Sequence, residues 1–342
     1  MATDTATLVQ LDRAEAGTQA ARRGVDVAAA AFGIWVVIGL FVDGWAHNAG
    51  KPETFWTPWH ALLYSGFLAA MAHFALTGER HRRRGTFVRP DPLTLAGFGL
   101  FAAGGLADMT WHTVFGVEKD LEALLSPSHL VLMVAGLLLV TSPVRSALDR
   151  GDTAPSWRDF APTAVGLTLT VAVLAFFTQF ASALHADVHD VFAAGAPDEL
   201  QVVGVAAVLL PNALLVGALL WTTARWPSPP PGTFTLIFGA TAVLMAGLDA
   251  FDQLALVVPV AAGGALADAL VARRYPARLV AAAVPAAMWS GWFAVYHSVW
   301  GLAWEAELTS GTVVLAALTG YGLALLAPVA PATRRGPGAG AA

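Results

Sequence analysis

Apolar stretches of about twenty residues alternate with short polar breaks along nearly the whole chain. A helix of that length crosses the hydrocarbon core of a bilayer. Ten stretches read this way: residues 28–46, 59–77, 93–112, 127–143, 160–184, 200–223, 233–250, 253–272, 278–298 and 310–328. The pattern predicts an all-α polytopic membrane protein built from repeated helical hairpins. Residues 1–26 carry Asp4, Asp12, Arg13 and Glu15 and no apolar core, so they are expected to form a polar tail rather than a signal peptide. Residues 27–330 form a single transmembrane domain in this reading. The Gly/Ala-rich end, 331–342, is expected to be a disordered tail.

The polar breaks are of two kinds. Seventeen of the nineteen Lys and Arg fall before the first apolar stretch, after the last, or in every second break between. Only Lys51 and Lys119 fall in the other breaks. The excess of basic residues on one side predicts that both termini are cytoplasmic. The opposite side collects seven of the nine His and fourteen acids, a face that attracts cations.

Within that second face one pattern occurs twice. Asp43-Gly-Trp-Ala-His47 ends the first apolar stretch and His60 opens the next. Asp108-Met-Thr-Trp-His112 ends the third and His129 opens the fourth. Residues four apart share a helix face, so each Asp/His pair points one way, and the returning His reaches the same depth. His185 and His189 offer a third pair with the same spacing. One carboxylate and two imidazoles suit Cu(II), Zn or Fe(II) and suit Mg or Ca poorly. The chain has no cysteine, so thiolate ligands are excluded. A single Asp/His pair at a helix end is commonly just a solvated rim, and Trp45, Trp59 and Trp111 are of the type that lines a membrane interface. The duplication shifts the balance towards a metal site, since ionisable groups at membrane depth are costly and default to function.

Asp43-x3-His47-x12-His60 resembles the copper-ligand pattern of the C subunit of particulate methane monooxygenase and of its ammonia monooxygenase relatives. The likeness covers roughly residues 28–143. It implies that Asp43, His47 and His60 bind copper in a helical membrane scaffold. The second set departs from the family, with Asp108 where the family has Asn and sixteen residues before His129. The chain also has about three further hairpins and no soluble cupredoxin part. One or two copper ions are therefore expected, with zinc or iron as alternatives, held by Asp43, His47, His60, Asp108, His112 and His129, with His185 and His189 as further candidates.

The expected activity is that of a copper-dependent oxidase or monooxygenase acting on a small or apolar substrate. Trp45, Trp59, Trp111 and Phe residues would line its cavity. Quinol or a partner subunit would supply electrons. Two rivals share the ligands: copper uptake, storage or delivery without catalysis, and a zinc-dependent membrane hydrolase. A metal-free transporter or scaffold is the fourth reading. Two Lys among nineteen basic residues, with abundant Ala and Gly, fit a GC-rich bacterial gene, so a bacterial plasma membrane is the expected location, with the lipid bilayer as partner and no nucleic acid.

Overall fold

In the computed structural model the described residues are 5–51, 54–83, 91–116, 120–151, 153–193 and 197–327, with the side chains of 5–16, 120 and 187 outside the description. All regular structure among them is helical. The α-helices are α1 Thr5–Asn48, α2 Pro58–Arg83, α3 Pro92–Phe115, α4 Asp120–Leu125, α5 Pro127–Val140, α6 Ser142–Arg150, α7 Trp157–Phe177, α8 Glu199–Arg225, α9 Thr233–Gly247, α10 Val257–Ala272, α11 Ala277–Trp300 and α12 Ala306–Leu326. Among the described residues nine segments are long and apolar enough to cross a membrane. The tenth apolar helix, α9, has fifteen residues. The chain is thus an integral membrane protein by the length and composition of its helices.

Several boundaries differ from the pattern-based expectation: α2 runs to Arg83 rather than 77, the expected 127–143 helix divides into α5 and α6, and three further ends have a visible local cause. Helix α1 begins at Thr5, not near residue 28, because an Ala-, Leu- and Gln-rich stretch without proline precedes the apolar part; the apolar span itself is Gln19–Asn48. Helix α7 stops at Phe177 rather than near 184. Thr178 Oγ1 donates to Leu174 O at 2.8 Å and Gln179 Nε2 to Phe176 O at 3.0 Å, so side chains take the last carbonyls and the chain leaves the helix. Helix α9 closes at Gly247. Ala250 and Phe251 then adopt left-handed backbone, with φ of 53° and 66°, and the Phe251 N–H returns to Ala246 O at 2.9 Å. The expected tail at 331–342 lies outside the described residues.

Helices α1 and α2, α3 and α5, α9 and α10, and α11 and α12 pack as antiparallel hairpins. Helix α7 sits at the centre: 78% of its apolar stretch is buried, against 17% of that of α12. It packs on α1, α5, α6, α8 and α9. The arginine-rich end is fastened by ion pairs. Asp26 on α1 accepts from Arg150 on α6 at 2.6 Å and from Ser146 at 3.0 Å. Asp91 caps α3 and pairs with Arg145. Asp268 on α10 caps α9 from outside, accepting the N–H groups of Phe234 at 3.0 Å and Thr235 at 2.9 Å.

Candidate metal centre

The opposite end of the first two hairpins brings the repeated residues together. Each returning helix starts with the same local chemistry: Thr57-Pro58-Trp59-His60 opens α2 and Ser126-Pro127-Ser128-His129 opens α5. Thr57 and Ser126 hydroxyls accept the backbone N–H of His60 and His129, both at 3.4 Å, and proline takes the first helical position, where no donor is needed. The imidazole is therefore set on the first turn, facing the end of α1 for His60 and of α3 for His129. This Ser/Thr-Pro-x-His repeat is legible in the sequence and aligns the two hairpins better than the unequal spacing to the Asp does.

In the first group His60 Nε2 stands 3.3 Å from Asp43 Oδ1, and His47 Nε2 3.7 Å from Asp43 Oδ2. In the second, Nε2 of His129 and of His112 stand 2.9 and 3.3 Å from the same atom, Asp108 Oδ1. Within each group one ligand atom per residue lies within 4.8 Å of the others. An ion with bonds of about 2.0–2.2 Å closes that spacing with small side-chain shifts. The groups adjoin: the ring centroids of His60 and His112 are 6.3 Å apart. Asp43, His60, Asp108 and His112 are buried.

The partners of the other ring nitrogens decide which atoms face the carboxylates. His60 Nδ1 lies 3.1 Å from Phe55 O, His112 Nδ1 3.4 Å from Gly116 O, and His129 Nδ1 contacts Ala123 O. A carbonyl only accepts, so each Nδ1 carries a proton, and in its neutral form each ring turns its Nε2 lone pair to an aspartate. In that form lone pair faces lone pair. Asp43 Oδ1 is buried and accepts no hydrogen bond. A cation between the groups resolves this arrangement, and backbone carbonyls that orient ligating imidazoles are the usual support for one. The six residues thus fit a transition metal by donor type and spacing, and His60, His112 and His129 by orientation as well.

Two further residues serve Asp108. Tyr64 OH donates to Oδ2 at 3.3 Å and Ser128 Oγ to Oδ1 at 3.2 Å. Neither was singled out from the sequence. The signal for Tyr64 is its position one turn after His60, on the same face of α2.

His185 and His189 join neither group. They lie at the start of and within a 3₁₀ segment, Ala186–Phe192, where the repeat is three residues and positions four apart diverge. His185 lines the same cavity as the metal groups, its Nε2 accepting from Asn48 Nδ2 at 2.9 Å and lying 3.4 Å from Asp249 Oδ1. Asp249 sits on the turn after α9 and also accepts the Ala186 N–H at 2.9 Å. His189 is enclosed by Phe192, Trp292 and Tyr296, and its Nε2 reaches Ala183 O at 3.0 Å.

Burial lowers the His189 pKa to about 4 from its ordinary 6.5, against the opposing Ala183 bond. The unfolded chain therefore takes up the proton first. The stability tied to a neutral His189 is complete above about pH 6.5 and is lost as pH falls towards 4, by at most about 3 kcal/mol. Thermal unfolding in detergent should lose stability between pH 7.5 and 5. His189→Gln, which keeps a donor for Ala183 O, should flatten that slope; an unchanged slope would assign it elsewhere.

A cavity of about 850 Å³ adjoins the two groups. Its aromatic lining is Tyr64, Phe101, Phe176, Phe177 and Phe180, and not Trp45, Trp59 or Trp111. Lys51 Nζ covers Trp45 at 5.6 Å. No protein-family model, curated protein or solved structure matches the chain.

Proposed function

We propose that the chain is a membrane copper protein that holds two ions side by side in Asp43/His47/His60 and Asp108/His112/His129, and that it acts as an oxidoreductase. The observation that carries the reading is the orientation of the imidazoles: His60, His112 and His129 each give Nδ1 to a backbone carbonyl and Nε2 to a buried aspartate. Mixed imidazole and carboxylate donors without thiolate favour Cu(II), with zinc and iron as the competing ions. The resemblance to the methane and ammonia monooxygenase C subunit points the same way through Asp43, His47 and His60.

Bound copper supplies one-electron chemistry towards oxygen. The protein's own part is to fix the ligands, to orient Asp108 through Tyr64 and Ser128, and to place an apolar cavity beside them. Electrons come from outside the chain, from quinol or a partner subunit. Among the described residues no third group of His and carboxylates forms a relay towards the arginine-rich end, which favours catalysis over transport.

The same reading places the metal groups near the extracytoplasmic face of a bacterial plasma membrane and both termini in the cytoplasm, by the distribution of arginines. It counts α9 as the tenth span. That helix starts beside Asp268 and near Trp157, at the arginine-rich end, and its closing turn reaches Ala186 at the histidine end.

Elemental analysis of the purified protein tests the reading against a His47→Ala/His112→Ala double variant. Close to two equivalents of copper are expected in the parent, and none in the variant. Zinc in place of copper would support a hydrolase. No stoichiometric metal after reconstitution with copper would leave the groups as imidazolium–carboxylate pairs and overturn the proposal.

A further inference from the structure

The cavity beside the metal groups is chemically lopsided. Its polar lining, Asn48, Lys51, Gln179 and His185, gathers with the ligands at one end, where exposed Gly50 and Lys51 mark the mouth. Below the aspartates the lining becomes apolar: Val36 and Leu40 on α1, Phe101 on α3, Val140 on α5, Val173 and Phe176 on α7. From His129 to Val140 along α5 is a depth of about 16 Å, and from Asp43 to Val36 along α1 about 10 Å. Water has few partners there, since a buried molecule needs two to four polar contacts. Gly136, one turn before Val140, lines the passage and is buried, yet a Cβ built on it meets nothing within 4 Å. The space is therefore real at that point, and glycine keeps it open.

We infer that this cavity is the pocket for a single unbranched hydrocarbon chain, which lies along α5 with its polar end at Lys51 and Asn48. The inference rests on the metal reading for its consequence, because it names the substrate class presented to those groups: a single-chain amphiphile, threaded past Asp43 and Asp108. Gly136 is the residue that sets how deep the chain goes.

The probe is a fatty acid with a photoreactive diazirine in mid-chain, added to the protein in nanodiscs, with cross-linked residues mapped by mass spectrometry and copper measured on the same sample. Cross-links are expected at Leu132, Val140 and Val173, abolished by excess unlabelled dodecane. Gly136→Leu should remove the Val140 cross-link by at least tenfold, keep those at Leu124 and Phe180 near the mouth, and leave copper content unchanged. Cross-links confined to the outward-facing Val131 and Val134, or a deep cross-link that survives both dodecane and Gly136→Leu, would overturn the pocket. Deep cross-links in a protein that binds no metal would support the pocket and sink only the metal reading.

Discussion

Asp108→Ala is expected to strip metal from the second group and to destabilise the protein by about 3 kcal/mol, more than the same change at Asp43. Asp108 is 1% exposed and ties three helices together. It accepts Tyr64 OH from α2 and Ser128 Oγ from α5, and it faces His112 and His129. Truncation leaves buried donors without an acceptor, at about 1–3 kcal/mol each. Asp43 Oδ1 accepts no hydrogen bond, so Asp43→Ala loses its ion with little structural cost. Asp108→Asn separates the two effects. The amide oxygen still accepts from Ser128, so most of the stability returns, while the missing charge weakens metal binding by two orders of magnitude or more. Elemental analysis with thermal unfolding of the apo and reconstituted forms reads both quantities. Parental copper content in Asp108→Ala would remove Asp108 from the ligand set. Because the His60 and His112 rings adjoin, loss of the second ion should also loosen the first, which a titration with copper shows as a lower affinity for the remaining site.

The helical class and the ten apolar stretches are legible in the sequence because a bilayer-spanning helix must satisfy its backbone internally and stay apolar over its length, a requirement that writes itself into every span. The two Asp/His groups are legible for a related reason: a carboxylate and an imidazole four apart at the end of an apolar helix are costly there, and the pattern occurs twice. Ends of helices are less legible. The stop at Phe177 depends on Thr178 and Gln179 folding back on the last carbonyls, and polar side chains at that position are equally compatible with another turn. That stop is what puts His185 and His189 on a 3₁₀ segment and separates their roles. The adjacency of the two groups is set by how the α1–α2 and α3–α5 hairpins lean on each other through stacked Phe67 and Phe101, 4.5 Å apart, a tertiary contact with no periodic trace in either helix. The cavity is equally hidden, since its walls come from α1, α2, α3, α5 and α7 at once.

Gly39→Ala should cost both stability and the first ion, although Gly39 touches no ligand. A Cβ built there would stand 2.6 Å from Leu63 Cα and 2.8 Å from Leu63 N. These are backbone atoms of α2, so no rotamer change relieves the clash and the helices must part. Transmembrane helices gain most of their association energy from this kind of close approach at small residues. Around it the hairpin is fastened by Trp35, whose indole N–H donates to Leu62 O at 3.1 Å. Gly39 lies one turn below Asp43 on the same face of α1, and Leu63 lies just beyond His60 on α2, so the displacement falls on the 3.3 Å approach of His60 to Asp43. Overpacking of this kind costs about 1–3 kcal/mol. Gly99→Ala on α3, whose added Cβ meets nothing within 4 Å, is the matched control and should change neither quantity. Copper near one equivalent with a lowered unfolding temperature in Gly39→Ala, beside a parental Gly99→Ala, would show that the hairpin's close packing is what holds His60 on Asp43. Full metal content in Gly39→Ala would mean that the first group does not depend on that approach, and that its ligands are held by the turn at Thr57 and Pro58 alone.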